Sequence, residues 1–150
     1  MYSVFDIAKW FLYHESMTHK KLQKLCYYAQ AWHCALYSGT PLFSEVIQAW
    51  VHGSVSPDLY RKYADYGWTL IPKETTLPNI TAEDAIDILE SVYETYGEFD
   101  GDQLEFLIHN EDPWKITRGD LEPWIPSTAI IPTELMGNYY RKKYQESQND

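Results

Sequence analysis

The 150-residue chain contains only two cysteines, Cys26 and Cys34. Eight residues apart on one helix, they would stand about 12 Å apart along its axis, too far for a disulfide. Free thiols in a small domain point to a reducing compartment, so a cytoplasmic location is expected. No stretch approaches 18 apolar residues, and a membrane-spanning helix is therefore excluded. The first residues, Met1–His14, are interrupted by Asp6 and Lys9 and lack a small-residue cleavage site, so they do not read as a secretory signal. Positive charge is scarce: 12 Lys and Arg stand against 22 Asp and Glu, a net charge of −10. A chain this acidic is a poor ligand for duplex DNA or an anionic bilayer, and no direct DNA binding is expected. Internal repeats and long linkers are also missing.

Motifs that carry chemistry are missing too. There is no C-x-x-C and no H-E-x-x-H. The histidines are His14, His19, His33, His52 and His109. Cys26 and His33 share a helix face but lie about 10 Å apart along it, whereas ligands of one zinc ion lie within about 4 Å of each other. His33 reads as a hydrogen-bonded core histidine, and neither a metal site nor a cofactor is expected. The run Gly53-Ser54-Val55-Ser56-Pro57 puts a serine beside His52 but is not the G-x-S-x-G of a nucleophile elbow. Asp100, Asp102, Glu111 and Asp112 could pair as carboxylates, but proximity by chance is expected among 22 acids. No catalytic residue is assigned. A small hydrolase using His52 and Ser54, or the acids around Asp112, is kept as the less favoured alternative.

The chain is rich in apolar and aromatic side chains: 45% hydrophobic, with 6 Trp, 13 Tyr and 5 Phe. This is enough for a substantial core in one domain. Apolar spacing predicts a helix over 4–14. A second, over about 19–38, is capped by Thr18 and stopped by Gly39 and Pro41. It is apolar on two sides, with Leu22, Leu25, Cys26, Ala29, Trp32, His33 and Leu36 on one and Tyr27, Ala31 and Cys34 on the other, so it should be central. Residues 46–53 read as a short helix or a strand. Further helices are expected over 57–66, over 82–96 with Thr81 and Asp84 as a capping box, over 101–110 capped by Asp100, and over 132–145. Pro113, Pro123, Pro126 and Pro132 should break the chain between the last two. The expected fold is mainly α: a compact single-domain bundle of about six helices around the central one, with room for one short two-stranded β element. The domain is expected to span residues 1–144, followed by a polar tail over 145–150.

Charge is unevenly placed. Residues 1–75 carry 7 basic and 6 acidic side chains, and residues 76–150 carry 5 and 16. His19, Lys20 and Lys21 occupy the first turn of the second helix, at the positive end of its dipole. Glu83, Asp84, Asp87, Glu90 and Glu94 share one face of the 82–96 helix with no basic partner on it. Either both faces are solvated or mutually compensated, or one is held for a partner of opposite charge.

The segment Met17–Tyr60 carries a T-x-x-K-L-x-K-L-x-Y-Y opening on Thr18, Lys21, Leu22, Lys24, Leu25, Tyr27 and Tyr28. A G-x-P-L-F turn follows on Gly39, Pro41, Leu42 and Phe43, then an A-W-x-x-G-x-V-x-P-x-x-Y segment on Ala49, Trp50, Gly53, Val55, Pro57 and Tyr60. Tyr66-Gly67 and an L-x-x-L-x-H-x-E-x-P-W element on Leu104, Leu107, His109, Glu111, Pro113 and Trp114 follow. Together these resemble the Panacea domain of SocA/GepA-like antitoxins over roughly residues 4–140. The family pattern has Gly-Pro-Val where this chain has Gly53-Ser54-Val55, which frees one φ angle and adds an N–H donor.

The resemblance implies a protein that neutralises a cognate toxin by binding it, often encoded in toxin–antitoxin operons, prophages or other mobile elements. In such a family a protease can be a further partner, with the antitoxin as adaptor. An accessory protein of a phage or prophage that occupies a host enzyme is the alternative within protein binding. The candidate partner-binding residues are Lys20, Lys21 and Lys24 as a basic edge, and the segment Trp50–Tyr60 through Trp50, His52, Gly53, Val55, Pro57 and Tyr60. Trp50, His52 and Tyr60 are its anchors.

Overall fold

In the computed structural model, Ser3 accepts from the Asp6 amide and Asp6 accepts from that of Ser3. This reciprocal cap starts helix α1, Val4–His14, which buries Val4, Ile7, Ala8, Trp10, Phe11 and Leu12. The structure describes residues 1–149, and Asp150, the end of the expected tail, lies outside the described residues. Thr18 caps α2, His19–Leu36, through the Lys21 amide. As expected, α2 is central: nearly every residue from Lys21 to Ala35 is buried, and it packs against α1 and most of the later elements. It ends two residues before the expected stop, because Ser38 and Gly39 both take positive φ, 55° and 79°.

The ambiguous segment is a strand. β1, Gln48–Trp50, pairs antiparallel with β2, Gly53–Val55, in the register Gln48–Val55, Ala49–Ser54, Trp50–Gly53. Val51 and His52 form the turn. Gly53 stands at φ 113°, a conformation that other residues rarely adopt. Ser56 caps α3, Pro57–Tyr63, with Pro57 in its first turn, and residues Ala64–Tyr66 tighten into a 3-10 turn ended by Gly67.

α4, Glu83–Tyr96, begins one residue late and without the expected capping box. Its N-cap is Ala82, and the amides of Thr81 and Ala82 both donate to the Tyr2 hydroxyl, at 3.3 and 3.0 Å. α5, Gly101–His109, has the Asp100 cap, closed by Gln103 in a reciprocal pair.

The expected break at Pro113 is corrected. Asp112–Arg118 is helix α6, because a proline in the first turn removes an amide that has no partner there anyway. α7, Thr133–Gln148, extends three residues past the expected end. Seven α-helices and one two-stranded sheet are thus found among the described residues, and the fold is mainly α as read from the sequence.

The core is one cluster running from Val4 to Tyr140 around α2. On its α7 side, the Glu111 carboxylate accepts from Tyr28 Oη at 2.7 Å, Tyr140 Oη at 2.8 Å and Lys143 Nζ at 3.0 Å. Tyr27 Oη lies 3.0 Å from Tyr140 Oη. The Tyr28 ring stacks on Tyr96 with centroids 3.9 Å apart, and Trp32 Nε1 donates to Tyr96 Oη. Burial and the Glu111 charge push the Tyr28 and Tyr140 hydroxyls far up from their ordinary value, so they are neutral donors at any physiological pH. His33 is buried and donates from Nδ1 to the Thr40 carbonyl, as expected of a core histidine.

Candidate functional site

The β-hairpin is held from behind. Three successive carbonyls, of Ala49, Trp50 and Val51, accept respectively from Arg118 Nη1 at 3.1 Å, Trp114 Nε1 at 2.7 Å and His109 Nε2 at 2.9 Å. From the other side the Gln23 side chain grips the Ser56 backbone, donating to its carbonyl at 2.9 Å and accepting from its amide at 2.8 Å. The His-x-x-x-x-Trp-x-x-x-Arg spacing across α5 and α6 thus fixes the hairpin backbone. Arg118 is itself buried and also donates to the carbonyls of Glu122, Pro123 and Ile125, which ties down the proline-rich loop. Its guanidinium lies 4.9 Å from the Trp114 ring centroid.

So braced, the hairpin forms one wall of a cleft of about 750 Å³, within the usual range of ligand sites. The first turns of α2 form the floor, and α3, Trp68 and the start of α5 close the remaining sides. Of the residues expected from the sequence, the cleft brings together Lys20, Lys24, Trp50, His52, Val55 and Tyr60. Trp50 packs against Tyr60 with centroids 5.0 Å apart, and His19 meets Tyr60 edge-on at 5.7 Å.

Three expected residues do not line it. Gly53 lies beneath: a Cβ built there would stand 3.0 Å from Lys24 Cε. Pro57 begins α3. Lys21 points elsewhere, donating to Glu15 and to the Gly97 carbonyl, both at 2.6 Å.

The three lysines do not form a row of free cations. Lys20 is paired with Asp102 and Glu105, each at 2.6 Å. Burial opposes its charge, but the two carboxylates raise its pKa on balance. The positive first turn of α2 is therefore compensated by Glu15 and by α5, while the acidic face of α4 stays exposed and takes part in no ion pair among the described residues.

Lys24 is the exception. It is 2% exposed, and its Nζ reaches only the Ser54 carbonyl, at 3.5 Å. Burial, then the Lys20 charge, lower its pKa to about 7, against the pull of Glu105. His19 is lowered too, by burial and then by Lys24, and its Nδ1 is buried without a partner among the described residues.

His52 is well exposed, and its Nδ1 lies 3.3 Å from Glu105. Ser54 is fully buried, on the strand paired with Ala49. A serine so enclosed is poorly placed to attack a substrate. Glu111 belongs to the tyrosine network, apart from the exposed Asp100 and Asp102.

Sequence reasoning missed His19, Gln23 and Trp68 in the cleft and Arg118 behind it. Gln23 carried a signal, a polar residue one turn before the buried Tyr27 on α2. Trp68 carried none, since an aromatic beside a glycine turn reads equally as core.

The family model for the antitoxin SocA-like Panacea domain matches residues 22–115. The chain belongs to the SocA-like antitoxin family. The matched span contains the hairpin, Lys24, Tyr60, Trp68, Glu111 and Trp114, and leaves His19, Lys20 and Arg118 just outside. No curated protein and no solved structure matches the chain.

Proposed function

We propose that this SocA-like protein is an antitoxin that neutralises a cognate toxin in the cytoplasm by direct binding, and that the cleft between α2, the hairpin and α3 is where the toxin docks. The observation that carries the reading is a preformed, rigidly braced cleft on a member of an antitoxin family, walled by Trp50, Tyr60 and a Trp68 that is 92% exposed. Trp and Tyr at an open cleft are the side chains that dominate binding energy at protein interfaces. A hairpin locked by His109, Trp114 and Arg118 loses little freedom on association, so less of the contact energy is cancelled by ordering. The proposed activity is surface complementarity, with no reaction assigned to the chain, and a protease is a further partner if the complex is handed on for degradation.

The test is co-expression with the neighbouring gene product in bacteria. The neighbour alone should arrest growth, this protein should restore it, and the two should co-purify. Trp50→Ala combined with Tyr60→Ala should abolish rescue while the protein still accumulates. A neighbour that is harmless alone would favour a phage accessory protein acting on a host enzyme. A neighbour that stays toxic in both cases would sink the antitoxin reading.

A further inference from the structure

We propose that the cleft is built to receive an acidic side chain of the bound partner, whose carboxylate pairs with the Lys24 ammonium and the His19 imidazole at the cleft floor. This rests on the partner-binding reading of the same cleft and specifies the chemistry of what enters it.

Two buried polar groups line the cleft without adequate protein partners. Lys24 Nζ has one long contact, at 3.5 Å to a carbonyl, and no carboxylate among the described residues lies within ion-pair distance of it. His19 Nδ1 has none. Several buried polar side chains elsewhere in this molecule are well supplied: Glu111 has three donors, Arg118 four acceptors and Gln23 two partners, while the neutral hydroxyls of Ser54 and Thr117, which do not line the cleft, go without. An ammonium withdrawn from water without a counter-charge is costly, and a carboxylate placed against it forms the stronger, charge-assisted kind of hydrogen bond.

The protein's own acids do not fill the role. Glu105 is engaged by Lys20 at 2.6 Å and by His52 at 3.3 Å. Asp102 is engaged by Lys20, and Asp100 by the Gln103 amide that it caps.

The rest of the cleft sets the class of ligand. Asp100 and Asp102 at the α5 side repel an extended polyanion such as a nucleic-acid strand. One carboxylate, carried between apolar groups that face Trp50, Tyr60 and Trp68, matches one ammonium and an aromatic wall. The occupant is therefore an apolar–acidic–apolar segment within a protein chain.

Three pentapeptides serve as probes. Two are acetylated and amidated, with the sequences Ala-Phe-Glu-Phe-Ala and Ala-Phe-Gln-Phe-Ala. The third is the Gln peptide with a free C-terminal carboxylate. Each is titrated into the whole protein at about pH 6 while the indole N–H signals of Trp50 and Trp68 are followed by NMR. The Glu peptide should shift both signals and bind at least about tenfold more tightly than the blocked Gln peptide. Lys24→Met, which keeps the stem and removes the charge, should reduce that ratio to less than about twofold, and His19→Asn should reduce it partway.

Equal affinities, an absence of shifts, or a preference that survives Lys24→Met would overturn the proposal. Tight binding of the free-carboxylate peptide alone would overturn it in favour of a chain terminus. Should Lys24→Met fail to fold, the comparison of Glu with Gln peptides on the wild type and on His19→Asn decides. Growth rescue by co-expression is read separately, so loss of peptide selectivity with intact rescue refutes this inference and leaves the antitoxin reading in place.

Discussion

Helix α2 buries polar side chains in two regions, and the two are finished differently. Toward α7, Tyr27, Tyr28, Tyr140, Glu111 and Lys143 form a network in which each named polar group has a partner at 2.7–3.0 Å. Toward the hairpin, the Lys24 ammonium and the Nδ1 atom of the half-buried His19 are shielded with one long contact and none, beside an open cleft. Burial costs the same kind of desolvation in both places. In the first region it is repaid within the fold, and the result is a rigid junction between α2, α6 and α7. In the second it is left outstanding at an opening, where a partner can reach it. Buried polarity alone therefore does not mark a site; buried polarity that the fold leaves unmet at a cleft does.

The sharpest way to break this contrast is at Glu111. Glu111→Ala removes the acceptor of the Tyr28 and Tyr140 hydroxyls, while the half-exposed Lys143 turns to water and Tyr140 keeps Tyr27, and should cost about 2–4 kcal/mol, as for buried donors that lose their partner. Glu111→Gln keeps an acceptor and should cost about 1–2 kcal/mol. Urea denaturation measures both. An Ala variant within about 0.5 kcal/mol of wild type would show that the network is not structural. Gly53→Ala comes next. It forces a side chain into φ 113° and against Lys24 Cε at 3.0 Å, and should cost about 1–3 kcal/mol by the same measurement. It should also loosen the cleft wall, seen as broadened Trp50 indole signals.

Much of the fold was legible. α1, α2, α3 and α5 carry their own caps, Ser3, Thr18, Ser56 and Asp100, and such local signals survive tertiary packing. α6 is hidden in the sequence because Pro113 reads as a breaker, although its place in the first turn makes it compatible with a helix. The start of α4 is not legible locally, because the Thr81 and Ala82 amides are met by Tyr2, about 80 residues away, and no window around Thr81 contains that fact. Of the expected segment from Trp50 to Tyr60, Trp50, His52, Val55 and Tyr60 line the cleft and Gly53 and Pro57 do not. The burial of Lys24 left a faint trace: Tyr27, Tyr28 and Ala31 stand three, four and seven residues on, which places them on its face, and all three are buried. Arg118 was not legible, since its acceptors at Ala49 and Glu122–Ile125 are brought together only by the fold.

The outstanding cost at Lys24 has a pH signature. In the unfolded chain this lysine titrates at its ordinary 10.5, and in the folded chain burial and Lys20 bring it to about 7. Between those values the unfolded chain holds a proton that the folded chain has released, so raising the pH favours folding by up to about 1.4 kcal/mol per unit. Below about pH 7 both states are protonated and the full penalty stands. Lys24→Met should remove this slope and be the more stable protein at pH 6. Urea midpoints of both proteins from pH 6 to 9 measure it. Parallel curves would mean that Lys24 finds a counter-charge in the folded state, and the contrast between the two regions would collapse.

The smallest effect on stability, and the most telling on binding, belongs to Trp68. It is 92% exposed, so Trp68→Ser should leave stability within about 0.5 kcal/mol. Trp124 is 68% exposed, on the loop tied down by Arg118, and does not line the cleft. It is therefore a matched control for the loss of one surface tryptophan. If a toxin docks in the cleft as proposed, Trp68→Ser should weaken that complex by about 2 kcal/mol, roughly thirtyfold in Kd, as for an aromatic anchor. Trp124→Ser should leave it unchanged. Calorimetric titration of the purified toxin against both variants distinguishes them. Equal losses would mean that the toxin wraps both faces, and a loss confined to Trp124 would move the interface to the proline-rich loop and leave the cleft without its assigned role.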